Sequence, residues 1–136
     1  MAIHEVRFVH AAIDAPPERV YAFAADPENL PRWAPNFGSA ISRSGDGWII
    51  QTPEGPLRVR FAQANGLGVL DHWVHLPDGT VLYNAMRVTA NGGGSVISFT
   101  LARQDGWSDE RFDEDAGLVS ADLVRLKDLL ESAEAN

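Results

Sequence analysis

Between Gly38 and Arg103 short runs of alternating apolar and polar residues are separated by clusters that favour turns. The clusters are Gly45-Asp46-Gly47, Pro53-Glu54-Gly55-Pro56, Asn65-Gly66-Leu67-Gly68, Pro77-Asp78-Gly79 and Asn91-Gly92-Gly93-Gly94. Turns this short join antiparallel neighbours, so the stretch predicts a six-strand meander. Upstream, His4 to Ile13 alternates as a further strand, and Asp14-Ala15-Pro16-Pro17-Glu18 starts a helix. Proline fits the first helical turn because its missing N–H has no partner there, and Glu18 suits the positive end. Val20, Phe23 and Ala24 form the inner stripe of this helix. Asp26-Pro27 ends it and opens a second short helix, Glu28 to Trp33, which Pro35 closes. At the other end Ser108 is placed to cap a long helix, with Asp109 and Glu110 in its first turn. Phe112, Ala116, Val119, Leu123, Leu126 and Leu130 then recur at spacings of three or four, which makes one apolar stripe.

These elements predict an α+β fold. A seven-stranded antiparallel sheet needs one face covered, and the long last helix has the stripe to cover it. A strongly twisted sheet curves around that helix, the two short helices close one end, and a pocket opens in the gap between them and the strands.

Residues facing each other across the turns agree on which face is apolar. With Asn65 to Gly68 as a four-residue connection, Phe61 opposes His72 and Val59 opposes Val74; with Pro77 to Gly79 as a three-residue one, His72 opposes Asn84 and Val74 opposes Leu82. Across the glycine-rich turn Met86 faces Phe99 and Val88 faces Ile97. The inner face then reads Leu57, Val59, Phe61, Leu70, His72, Val74, Leu82, Asn84, Met86, Val88, Ile97, Phe99 and Leu101, and only His72 and Asn84 interrupt it. A buried polar pair must be satisfied by itself, by water or by a ligand. Three roles stay open: a His–Asn hydrogen bond inside the core, an anchor for a ligand, and acid–base chemistry with His72 and Asn84 as the catalytic pair. Tyr21 and Tyr83 are weaker candidates for a proton donor.

Around that pair, the candidate ligand-binding residues are Trp33, Phe37, Trp48, Val59, Phe61, His72, Val74, Asn84, Met86, Phe99, Phe112, Ala116 and Val119. Trp33, at the end of the second short helix, serves as a plug or as a gate. On the outer face Arg60 should oppose Trp73, and Trp73 should oppose Tyr83, with Arg58 opposite His75. This is a cation–π arrangement, and also a surface that a protein partner or a second copy of the chain could use.

Composition narrows the functional classes. The length of 136 residues suits one domain, 1–136, with a core that needs no staples. A net charge of −8 disfavours nucleic acid, whose phosphates require clustered Lys and Arg. No run is long enough for a membrane span, and charges among the first residues disfavour a signal peptide, so a cytoplasmic location is expected. There is no cysteine, no G-x-S-x-G elbow and no phosphate loop, so a nucleophilic enzyme has no support. Asp105, Asp109, Glu110, Asp113, Glu114 and Asp115 suit a helix N-terminus better than a metal site, and neither metal nor cofactor is expected. Gly117, inside the long helix, suggests close packing, a bend or room for a ligand.

Ile13-Asp14-Ala15-Pro16-Pro17-Glu18-Arg19-Val20-Tyr21, followed by Asp26-Pro27-Glu28-Asn29-Leu30-Pro31-Arg32-Trp33, resembles the opening of the START-like or Bet v 1-like (SRPBCC) superfamily. Met86-Arg87-Val88, Phe99-Thr100-Leu101 and Ser108-Asp109-Glu110-Arg111-Phe112 are similar to segments of its small bacterial members, of polyketide cyclase and lipid-transport type. The resemblance spans nearly the whole chain and implies the helix-grip fold. The superfamily includes carriers, receptors, aromatase-cyclases and co-chaperones, so fold alone does not select a function. The expected role is binding of a small hydrophobic or aromatic molecule as carrier or sensor. The alternatives are a cyclase-like enzyme using His72 and Asn84, and a protein-interaction module acting through Trp73 and Tyr83.

Overall fold

A computed structural model describes residues 3–132. Its strands are β1 (Val6–Ile13), β2 (Ala40–Ser44), β3 (Gly47–Thr52), β4 (Gly55–Phe61), β5 (His72–His75), β6 (Val81–Asn91) and β7 (Gly94–Ala102). They form one antiparallel sheet in the order β1-β7-β6-β5-β4-β3-β2. Because β1 and β2 lie on opposite edges, the chain between them has to cross the sheet. It does so through α1 (Pro17–Ala24), a 3-10 turn (Pro27–Asn29) and α2 (Leu30–Trp33). The long helix α3 (Asp109–Glu131) follows β7, and the whole is the helix-grip fold.

The register is the one expected from the apolar pattern: Phe61 opposes His72, His72 opposes Asn84, Met86 opposes Phe99 and Val88 opposes Ile97. Val59, Val74, Met86, Val88, Ile97, Phe99 and Leu101 are buried on the inner face. Two boundaries differ from expectation. β1 starts at Val6 instead of His4, and the second short helix is a 3-10 turn running into α2. The connection expected at Asn65 to Gly68 is instead a longer loop, residues 62–71. Asn65 organises it: its Oδ1 accepts the N–H groups of Leu67 and Val69 at 2.9 and 3.1 Å, and its Nδ2 donates to the carbonyls of Gln63 and Val69. The end of the loop pairs with β6, through Val88 N–H to Gly68 O (2.9 Å) and Leu70 N–H to Met86 O (2.8 Å). Gly68 has φ +73°, and a Cβ there would collide with the Val88 carbonyl, so only glycine allows the approach.

Helix α3 starts where the Ser108 hydroxyl accepts the Arg111 N–H. Phe112, Leu123, Leu126 and Leu130 are buried, while Ala116 and Val119 are half-buried. Both ends are tied to the rest of the fold. Arg7 pairs with Asp113 (2.6 Å) and Arg103 with Asp109 (2.8 Å) near the N-terminus. At the C-terminus Arg19 donates to the Leu130 carbonyl (2.7 Å) and Lys127 to the Ala12 carbonyl (2.8 Å). Among the described residues no helix is long and apolar enough to cross a membrane.

Gly117 corrects one expectation. It is exposed, and a Cβ built on it meets nothing within 4 Å, so close packing does not explain it. Gly117→Ala should therefore stabilise the protein by about 0.5–1 kcal/mol through helix propensity alone. Chemical denaturation checks this, and a loss of stability would mean that the glycine serves a bend.

Candidate functional site

The concave face of the sheet and α3 do not meet everywhere. Between them lies a cavity of about 1040 Å³. Its floor is formed by strand residues that include Leu57, Phe61, His72, Val74, Leu82, Asn84, Met86 and Phe99. Tyr21, Trp33, Asn36 and Phe37 come from the helical crossing, and Leu118, Val119, Asp122 and Leu123 come from α3.

His72 sits in this floor among three aromatic rings, with centroids 5.7 Å from Phe37, 6.1 Å from Phe61 and 6.1 Å from Phe99. Burial pushes its pKa below the ordinary value, against the opposing pull of the Leu70 carbonyl and the neighbouring Asp71. It is therefore a neutral imidazole at physiological pH. Its Nδ1 lies 3.3 Å from the Leu70 carbonyl oxygen. A carbonyl oxygen only accepts, so this bond requires the proton on Nδ1 and leaves Nε2 as a bare acceptor. The expected alternative of a His72–Asn84 hydrogen bond is not realised. The two residues are cross-strand partners, but His72 turns to Leu70, and Asn84 reaches the cavity without a hydrogen bond to it.

Of the other expected ligand-binding residues, Trp33, Phe37, Phe61, Val74, Met86, Phe99 and Val119 line the cavity. Trp33 is buried and its indole Nε1 has no hydrogen-bond partner. Trp48, Val59, Phe112 and Ala116 do not line it. Trp48 lies at the far end of β3 with the Arg43 guanidinium 5.3 Å from its ring, and Val59 is wholly buried beside it in the register. Phe112 packs under Arg7, at 4.3 Å, and against Trp107. Ala116 is half-buried against the core.

Two carboxylates escaped the sequence reading. Asp71, just before β5, accepts from the Met86 N–H (3.0 Å), from Tyr83 Oη and from both Nε and Nη2 of Arg87 (3.2 and 2.9 Å). Burial would raise its pKa, but the hydrogen bonds from Arg87, Tyr83 and Met86 outweigh that and hold it below the ordinary carboxylate range. Asp122, on α3, is the opposite case. Desolvation pushes it up to about 6, against the pull of Arg125 (3.4 Å) and a hydrogen bond from Asn36. The spacing of the α3 stripe did not reveal it, because a lone acid beside Leu123 reads as the polar edge of the stripe.

A sequence profile of the family described as polyketide cyclase/dehydrase and lipid transport matches residues 6–131. The chain belongs to this family. None of the curated proteins matches its sequence. Among solved structures, XoxI from Bacillus cereus superposes with a TM-score of 0.73 at 16% identity, covering 98% of this chain and 99% of that one. The Aha1 dimer from Colwellia psychrerythraea gives 0.72 at 17%, covering 93% and 96%. Ara h 8.0201 gives 0.67 at 16%, covering 93% and 97%. At these identities the likeness concerns the fold.

The domain also has the expected outer face. The Arg60 guanidinium lies 4.7 Å above the Trp73 ring, and Trp73 stacks on Tyr83 at 5.4 Å. Tyr83 links that stack to Asp71, so the rings are held by contacts within the chain.

Asp122 yields a pH prediction. Folded, it holds its proton up to about pH 6; unfolded, it ionises near 3.8. Between those values the folded state binds more protons, so the carboxyl's contribution is fully present at low pH and is lost as pH rises through 6. His72 shifts the balance the other way, and comparison of a variant with the parent cancels it. Asp122→Asn should raise stability at neutral pH by about 3 kcal/mol at most. The gain should vanish below about pH 4 in urea unfolding, where both side chains are neutral. A loss at neutral pH would show that the Arg125 attraction outweighs burial.

Proposed function

We propose that this domain binds a small hydrophobic or aromatic molecule in its cavity, as a carrier or sensor. The supporting observation is the cavity of about 1040 Å³ between sheet and helix, apolar over most of its wall and with His72 and Asn84 side by side in its floor. Cavities of this kind take most of their affinity from apolar burial and their orientation from a few polar atoms. Membership of the polyketide cyclase/dehydrase and lipid-transport family is consistent with such a ligand.

A second reading, a cyclase-like enzyme, draws on the state of His72. A neutral imidazole whose proton is fixed on Nδ1 offers Nε2 as a general base to a bound carbonyl compound, and in this reading the Asn84 amide, its cross-strand neighbour, polarises that carbonyl.

An amide NMR titration with a panel of quinones, fatty acids and aromatic polyketides tests the binding. Saturable shifts are expected at Phe61, His72, Asn84 and Met86 and not at Trp73; shifts confined to the outer face would overturn the reading. His72→Phe separates the two roles. A carrier should lose about tenfold in affinity or less, since most of the contact area remains. An enzyme should lose turnover altogether.

A further inference from the structure

The charge of the cavity wall restricts what can enter, and the restriction rests on the binding role proposed above. We propose that the cavity selects ligands whose polar end is an uncharged hydrogen-bond donor, such as a hydroxyl, and rejects ligands that end in a carboxylate.

The acidic residues Glu54, Asp105, Glu114, Asp115 and Asp122 line the cavity against a single cationic residue, Arg111; Asp71 lines it too, but its carboxylate is taken up by Tyr83 and Arg87. Arg111 is already occupied: its Nε bonds Asp115 at 3.2 Å, and its guanidinium lies 4.7 Å from the centre of the Trp107 ring. Glu54, Asp105 and Glu114 are exposed and form no ion pair among the described residues. They give the entrance an uncompensated negative field, which the net charge of −8 reinforces.

Inside, the polar atoms are biased toward acceptors. His72 spends its one proton on the Leu70 carbonyl and presents a lone pair. Asp122 presents carboxyl oxygens from the α3 side, with Arg125 on its flank; Arg125 does not line the cavity. The Trp33 indole N–H is sealed from the cavity space, and Tyr21 Oη already accepts the Asn65 N–H at 2.9 Å. Asn36 is engaged with Asp122, Thr80 with Asp78, and Thr52 and Gln104 with backbone carbonyls, so what remains for an anion is neutral: the Asn84 amide, the Tyr21 hydroxyl proton and the Trp107 indole N–H. Neutral donors alone do not replace the hydration that a carboxylate gives up on burial, whereas a hydroxyl needs only one acceptor. An ammonium group is drawn to the entrance but must lose its own water in a cavity whose two buried acids already face arginines, Arg87 for Asp71 and Arg125 for Asp122.

Four ligands on one naphthalene scaffold test this at neutral pH by calorimetric titration: 2-ethylnaphthalene, 2-naphthaleneethanol, 2-naphthylacetate and 2-naphthylethylamine. The alcohol should bind at least roughly tenfold more tightly than the carboxylate and more tightly than the amine. Asp122→Asn supplies a donor in place of an acceptor and removes a negative charge, so it should narrow the gap between alcohol and carboxylate; His72→Phe should weaken the alcohol and leave the ethyl compound unaffected. Equal or tighter binding of the carboxylate, or tightest binding of the amine, overturns the selectivity. Binding of all four without discrimination overturns it too and leaves the binding role standing, whereas failure of even the ethyl compound to bind removes both.

Discussion

One helix cannot fill the hollow of a seven-stranded sheet. At a strand spacing of about 4.8 Å the sheet is roughly 29 Å across, while a helix with its side chains is about 10–12 Å wide. Helix α3 settles against β1 and β7, where Phe112, Leu126 and Leu130 are buried, and the floor of β4 to β6 is left uncovered. The cavity is therefore a consequence of geometry before it is a consequence of any particular side chain. The ion pairs and carbonyl contacts at the two ends of α3 hold the helix over that space instead of letting it tilt in.

Two titratable groups face this space in states that burial selects. His72 is kept neutral and Asp122 is pushed toward neutrality, so neither brings a full charge into an apolar volume at modestly acidic pH. Asp71 shows the contrasting solution a few ångströms of chain away. It remains ionised because Arg87, Tyr83 and a backbone N–H surround it, and it fastens the loop before β5 to β6. Two buried acids in one domain thus differ in charge because one received a complete set of donors and the other did not.

The strands, the register from β4 to β7 and the apolar face of α3 were legible because each is periodic, with period two on the strands and three to four on the helix, whereas the pairing of β1 with β7 was not. His72 and Asn84 stood out as interruptions of a regular pattern, and the structure places both in the cavity floor. The hidden parts were those without a period. The loop at residues 62–71 was misjudged because Asn65 bonds its own loop from both ends of its amide, which no spacing rule signals. Trp48 and Phe112 have the inward direction expected of cavity residues, yet they lie beyond the reach of the hollow. Facing gives direction only, and distance along a curved sheet is a tertiary property.

The pairing of Gly68 and Leu70 with β6 has a consequence for the chemistry of the floor. The Leu70 carbonyl that sets the proton on His72 belongs to a loop fastened to a strand, and Tyr21 on α1 grips the same loop through the Asn65 N–H. The tautomer of the histidine is thus a readout of where that loop lies. A displacement of α1 that drew the loop off β6 would release Nδ1, leave its proton free to pass to Nε2, and so allow an acceptor in the cavity floor to become a donor.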